Sequence, residues 1–191
     1  QEQLDAGKTN IKLILASDAG ENVFAIIKDA LYGGTAGSIN LSLIGCKEIP
    51  TTGLSNWDGK LDALKSIYLP DITRIGVEGL AYCVFLEEIN TPNVTSIHEN
   101  AFGGCTNLQK ITFGELTEVK GLSHDYDGIL DPGVNTERIN LVLSENQKVM
   151  TKNRQGNEYF WTPTKEYYKG SVEYGSTSFL EYKFNSVSFK K

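Results

Sequence analysis

The chain has no surplus of positive charge, little histidine and no long apolar run, and each shortage removes a class of function. Its 18 Lys and Arg stand against 24 Asp and Glu, a formal net charge of −6. Binding nucleic acid requires clustered Lys and Arg to meet phosphates. No basic stripe interleaved with aromatics occurs, so nucleic acid is not an expected partner. Nothing approaches the roughly eighteen consecutive apolar residues that a membrane-crossing helix needs. The three cysteines, Cys46, Cys83 and Cys105, form no C-x-x-C pair, and His98 and His124 stand in no ligand-like relation to them, so neither a metal nor a cofactor is expected. Catalytic signatures are missing as well. No G-x-S-x-G elbow occurs. The glycines of YGGTAGS (32–38) follow an expected helix rather than opening one, and no Lys-Ser or Lys-Thr pair accompanies them, which excludes a phosphate loop. Paired carboxylates such as Glu87-Glu88 come with no sign of a cleft, and the chain reads as non-enzymatic.

What is present is repetition. LKSIYLPDITRIGVEGLAYCVF is followed by LEEINTPNVTSIHENAFGGCTN and then LQKITFGE, so Leu64, Leu86 and Leu108 recur every 22 residues. Leu64, Ile67, Leu69, Ile72, Ile75, Leu80 and Cys83 fall on Leu86, Ile89, Thr91, Val94, Ile97, Phe102 and Cys105, apolar on apolar at every column except Thr91. A unit of this length cannot bury its apolar face alone but can bury it against stacked copies, which is the sequence sign of a solenoid. Pro70 and Pro92 recur just after the I-x-L and I-x-T runs, where a residue without an amide donor ends a strand. Cys83 and Cys105 share an inward column, so their side chains point the same way and buried free thiols are expected rather than a disulfide.

The pattern L-x-x-I-x-L-P-x-[IV]-T-x-I-x-x-x-[AG]-[FL]-x-x-C resembles the BspA-type leucine-rich repeat. The match is clear over residues 39–122 and best from Leu64 to Asn107. Such repeats are common in surface and secreted proteins of gut and oral Bacteroidetes. The resemblance therefore implies an extracellular or cell-surface location, as a secreted protein or a lipoprotein anchored outside this stretch. The start at Gln1 rather than Met fits a removed signal segment. The expected fold is a β-rich leucine-rich-repeat solenoid of about 22-residue coils with few helices. Residues 1–38 form an N-terminal strand-helix cap, 39–143 the coils and 144–191 an aromatic-rich C-terminal β cap, all in one structural domain.

In the first cap, Ile11, Leu13 and Leu15 alternate as in a strand. Asp18-x-x-Glu21 has capping-box spacing, Val23, Phe24, Ile26, Ile27, Ala30 and Leu31 form a helical apolar stripe, and Gly33-Gly34 stops the helix. The first coil is degenerate. Ile39-Asn40-Leu41 is set against Ile67-Tyr68-Leu69, Lys47-Glu48-Ile49 against Thr73-Arg74-Ile75, and Gly53, Leu54 and Trp57 against Gly79, Leu80 and Cys83. This places Trp57 in a cysteine column, packed in the core, with DGKLDA bulging to make room. Beyond Phe113 the repeat fades. HDYDG, with Asp125, Asp127 and the later Asp131, resembles a fragment of a calcium loop but lacks further ligands, so an Asp-Gly turn is expected. Ile139 to Leu143 returns to the strand pattern, and SENQKVMTKNRQGNE reads as an exposed loop or hairpin. The resemblance also implies that Tyr182-x-Phe184-x-Ser186-Val187-x-Phe189 is a closing strand.

Function is expected on the outward positions. Tyr68, Asn90, Thr112 and Asn140, with Asn40, form one outward column, the candidate contact surface for a protein or other macromolecular partner, with Tyr68 its one large amphipathic anchor. Lys47, Thr73, Thr95 and Thr117 form a second, beside Glu48, Arg74, Ser96 and Glu118, and His98 should face out or into a turn. The alternative is a glycan-binding accessory protein, in which Trp161, Tyr167 and Tyr168 would stack on sugars from the C-terminal segment. A structural spacer is the third reading.

Overall fold

The computed structural model describes residues 9–121, 128–170 and 177–191. Its elements in chain order are β1 (Asn10–Ile14), α1 (Glu21–Leu31), β2 (Ile39–Ile44), β3 (Glu48–Ile49), β4 (Leu64–Tyr68) and β5 (Arg74–Ile75). There follow β6 (Glu88–Thr91), β7 (Ser96–Ile97), β8 (Lys110–Phe113), β9 (Glu118–Lys120) and β10 (Asn140–Ser144). The last five strands are β11 (Lys148–Gln155), β12 (Glu158–Tyr167), β13 (Ser178–Phe179), β14 (Tyr182–Lys183) and β15 (Ser186–Lys190).

Apart from the antiparallel β13–β14 pair, the strands sort into two ladders because each repeat contributes a longer and a shorter strand at fixed places. The longer ones stack in the order β1-β2-β4-β6-β8-β10-β15, every neighbour parallel. The shorter ones stack as β3-β5-β7-β9, also parallel, and the β11–β12 hairpin then joins antiparallel through β12. Parallel pairing puts like residues on like: Leu41, Ile67, Ile89, Ile111, Leu141 and Val187 form one inward column. Ile49, Ile75, Ile97 and Val119 form the facing one, all at most 1% exposed. Each buried side chain of this size contributes roughly 1.5–3 kcal/mol. Thr91, the single polar member of the repeat columns, is buried with its hydroxyl donating to the Thr112 carbonyl at 2.9 Å, so its polar atom is satisfied within the ladder. Pro70 and Pro92 fall just past β4 and β6.

The N-terminal elements differ from expectation in detail. The strand forms, but α1 has Gly20 at its N-cap with no side-chain hydrogen bond, so Asp18 caps nothing. Phe24, Ile27 and Leu31 carry the buried face, while Ile26 is 68% exposed. Gly33 takes a φ of 80° and Gly34 donates to the Leu31 carbonyl, ending the helix. At the other end, β10 does not close its ladder; β15 pairs beyond it. SENQKVMTKNRQGNE is largely the β11 strand of a hairpin. Within it Gln147 is fully buried, its Oε1 accepting from the Leu116 amide at 2.8 Å and its Nε2 donating to the Leu116 carbonyl at 3.2 Å. A side-chain amide thus stands in for a strand neighbour where the repeat becomes irregular.

The first repeat corrects two expectations. β2 pairs with β4 so that Asn40 meets Ser66 and Leu41 meets Ile67, two residues from the expected alignment. The slip is even, so every side chain keeps its face. The second correction is larger. Amides of Thr52, Leu54 and Asn56 donate to the carbonyls of Val77, Gly79 and Ala81, and those of Glu78, Leu80 and Tyr82 donate likewise to Glu99, Ala101 and Gly103. Asn56, Tyr82 and Gly104 are therefore equivalent. Just beyond them, Leu64, Leu86 and Leu108 donate to the carbonyls of Leu61, Cys83 and Cys105. Leu61, 1% exposed, fills the cysteine column, and Trp57 is 59% exposed. The four residues Trp57-Asp58-Gly59-Lys60, extra in this repeat, loop out between Asn56 and Leu61. Asn56 pins the base of the loop, its Oδ1 accepting from the Leu61 amide at 2.6 Å and its Nδ2 donating to Asp62 at 2.8 Å.

Candidate interaction surface

The outward side of the longer ladder carries two columns, and the four candidate residues divide between them. Asn10, Asn40, Ser66, Glu88, Lys110, Asn140 and Ser186 follow one another in the first. These polar groups bond along the column: Asn40 to Asn10 at 2.9 Å, Ser66 to Asn40 at 2.7 Å, Lys110 to Glu88 at 2.8 Å and Ser186 to Asn140 at 2.8 Å. Their hydrogen-bonding capacity serves the ladder. Lys12, Ser42, Tyr68, Asn90, Thr112, Val142 and Ser188 make the second. Tyr68 is 41% exposed and Asn90 half-buried, but Thr112 is only 4% exposed and offers a partner almost no area. Tyr68 and Asn90 are thus neighbours about 4.8 Å apart, Thr112 is withdrawn into the sheet, and Asn140 belongs to the other column.

The outward side of the shorter ladder is a polar array. Hydroxyls of Thr73, Thr95 and Thr117 donate to the carbonyls of Lys47, Thr73 and Thr95 at 3.2, 3.2 and 3.3 Å, a regular stitch along the expected column. Beside it Arg74 pairs with Glu48 and approaches His98 Nδ1 at 3.4 Å. The other ring nitrogen of His98 lies 3.7 Å from Glu118, to which Ser96 also donates. His98 is only 8% exposed, so of the two expectations it does not face out but stands where β7 runs into the following turn. Burial, then the charges of Arg74 and Lys120, hold its pKa below the ordinary imidazole value, with Glu99 and Glu118 opposing. The three cysteines are free and buried. The hydrogen bond with Cys105, followed by burial, pushes the Cys83 thiol well up, and burial raises Cys46, the reverse of what a thiolate nucleophile needs.

The C-terminal aromatics are mostly structural. Trp161 pairs with Val119, so it prolongs the inward column Ile49–Ile75–Ile97–Val119 and is 6% exposed. Tyr168 is 1% exposed, its ring edge-on to Phe179 at 5.4 Å and tilted against Phe189 at 5.8 Å. Only Tyr167 of the three is open, under Lys148. The proposed sugar platform is therefore not assembled there. Of the calcium-loop residues, Asp125 and Asp127, like His124, lie outside the described residues, and Asp131 accepts from the Tyr182 hydroxyl at 2.7 Å. Among the described residues no group of three or more His, Cys, Asp or Glu could hold a metal ion, and no helix is long and apolar enough to cross a membrane.

The exposed aromatic that sequence reasoning missed is Trp57. It lies on Tyr82 with ring centroids 3.8 Å apart and planes at 40°, and its indole N–H reaches Glu78 at 3.3 Å. A signal was available: the first repeat is four residues longer than the others, and the surplus WDGK is polar apart from the tryptophan. A pocket of about 240 Å³ opens beside it, between α1 and the loops of the first repeat.

Neither a curated protein nor a solved structure matches the chain. Residues 59–123 match the family model of the BspA type Leucine rich repeat region (6 copies). The matched stretch begins at Gly59, inside the excursion of the first repeat, and runs through β9, so the ladder of like residues on like is the repeat itself. Residues 59–123 of this chain are a BspA-type leucine-rich repeat region.

Proposed function

We propose that the chain is a non-enzymatic interaction module, built as a short solenoid with a strand-helix cap and a β cap, that holds a protein or other macromolecular partner on its outward faces. Leucine-rich repeats usually serve protein interaction, and the family in general is found on surfaces or secreted, so an extracellular or cell-surface setting is part of the proposal. The observation that carries it is the second outward column of the longer ladder. There Tyr68, the one aromatic side chain of that column, stands 41% exposed on a sheet of seven stacked strands. A stiff sheet surface loses little conformational entropy when an extended partner lies along it. An exposed tyrosine supplies apolar area with a polar tip, as contact anchors do.

The test is a binding screen of the purified chain against immobilised extracellular-matrix proteins and bacterial surface proteins, with Tyr68→Ala alongside. The expected result is a protein ligand whose binding weakens at least about tenfold, 1.4 kcal/mol, in the folded variant. Binding that is indifferent to Tyr68 and Asn90 would remove the longer ladder as the contact face.

A further inference from the structure

The loop that the first repeat inserts is not needed by the ladder, and its residues converge on one place. The rung bonds run up to Asn56, and the register is regained at Leu61, which fills the inward column and accepts from the Leu64 amide as Cys83 accepts from Leu86. Of the four extra residues, Trp57 rests one face on Tyr82 and leaves the rest of its ring to solvent. Gly59 turns the chain at a φ of 71°. Asp58 and Lys60 line the pocket of about 240 Å³, together with Glu21, Lys28 and Asp29 of α1 and with Thr52. Thr52 donates its amide to Val77, next to the Glu78 that holds the indole, so pocket and tryptophan share one edge of the repeat.

The charges there indicate the chemistry of an occupant. Lys60 bonds Asp29 at 2.6 Å and lies 3.7 Å from Asp58, and Lys28 lies 3.6 Å from Asp58. Both cations are already matched by carboxylates, so the pocket has no spare positive charge for a phosphate or sulfate. A cationic side chain would have to displace Lys60 or Lys28 from Asp29 and Asp58, and the third carboxylate of the lining, Glu21, is exposed to solvent, where an ion pair is worth little. Both carboxylates keep free lone pairs, and both ammonium groups keep free protons. A group that is donor and acceptor at once, a hydroxyl, can use both without disturbing the pairs. An open indole face beside such an array suits the C–H face of a pyranose ring, apolar on its flat side and hydroxylated round its rim.

The geometry points to a binding site for a neutral oligosaccharide at the Trp57–Lys60 loop, one sugar ring lying on Trp57 and the hydroxyls of the next reaching Asp58, Lys60 and the α1 face. This site is separate from the Tyr68 surface and stands or falls apart from it.

The chain has two tryptophans, of which Trp161 is buried, so emission reports mainly on Trp57 at an exposed site. The experiment titrates the full chain with maltohexaose, cellohexaose, mannohexaose, xylohexaose and chitohexaose, and follows emission together with retardation in gels containing the matching polysaccharides. Variants are Trp57→Ala, Trp57→Phe, Asp58→Asn and Tyr68→Ala, with pentalysine as a cationic probe. Expected are a saturable change with at least one oligosaccharide and gel retardation weakened at least about tenfold in Trp57→Ala. Asp58→Asn should weaken it severalfold, and Trp57→Phe and Tyr68→Ala should keep it within about threefold. Trp57→Phe keeps an aromatic face, so its retained binding separates loss of the platform from loss of fold. No oligosaccharide response across the panel, retardation unchanged in Trp57→Ala, or pentalysine binding in place of sugar would each overturn the proposal.

Discussion

The assignment of Leu61, not Trp57, to the inward column can be tested by comparing what each side chain contributes to stability. Leu61 is 1% exposed and stands in line with Cys83 and Cys105, bounded by Leu64 and Leu86, both fully buried. Leu61→Ala removes three carbons from a site closed on both sides, so collapse is limited and the cost falls at about 2–5 kcal/mol. Trp57, 59% exposed, loses on truncation its stack on Tyr82 and one exposed hydrogen bond. The stack is worth about 0.5–1.5 kcal/mol. For a chain of this size one kcal/mol moves the thermal midpoint by about 2–4 °C. Leu61→Ala is thus expected to lower Tm by about 4–20 °C, and Trp57→Ala by no more than about 6 °C. Far-UV circular dichroism on heating is the assay, since fluorescence would lose one of its own probes. A Trp57→Ala loss equal to or above that of Leu61→Ala would refute the register argued from the rung bonds.

Gln147→Ala leaves the buried amide and carbonyl of Leu116 without the partners they now have. Each unmet group costs about 1–3 kcal/mol, so urea unfolding should show a loss of about 2–6 kcal/mol, and a loss under about 1 kcal/mol would mean that the backbone finds another partner. His98 has its folded pKa below the usual 6.5, so the unfolded chain binds the proton more readily. Stability from this residue is full above about pH 6.5 and declines as pH falls from there toward the lowered folded value. In urea midpoints between about pH 7.5 and about pH 5, wild type should fall more than His98→Gln; parallel curves would contradict the burial of a neutral ring. Thiol reagent added to unreduced protein should find no fast-reacting group in the native state and all three cysteines after denaturation. A denatured count of one would reveal a disulfide.

What the sequence made legible follows from parallel stacking. A strict 22-residue spacing can bury like residues on like in only one register, so the inward columns from Leu64 to Cys105 and the threonine stitch Thr73–Thr95–Thr117 could be read directly. The first repeat was harder because its extra residues had to be placed by judgement. Trp57 is apolar and sits at the offset shared by Gly53 and Leu54, so composition favoured it for the column over Leu61. The side chain of Asn56, which bonds across the base of the loop, reverses that choice. The C-terminal aromatics left both a cap and a sugar platform open for a related reason. Residue type shows that Trp161 and Tyr168 can stack on something, but only the antiparallel pairing of β12 with β9 turns Trp161 inward. His98 follows an inward isoleucine and reads as facing out or into a turn, and the residues that bury it, Arg74 and Glu118, come from neighbouring rungs.

The most direct measurement is the thermal midpoint of the chain lacking residues 57–60. The deletion joins Asn56 to Leu61 as Tyr82 joins Cys83 and Gly104 joins Cys105, where Tyr82 and Gly104 hold φ of 61° and 72°. Asparagine tolerates that left-handed conformation better than most residues. If the excursion is an addition to a ladder complete without it, the variant loses only the Trp57 stack and exposed ion pairs, about 1–3 kcal/mol. It should then melt cooperatively within about 12 °C of the parent. A chain that fails to fold, or melts more than about 15 °C lower, would show that the loop holds the first repeat together and would contradict the account.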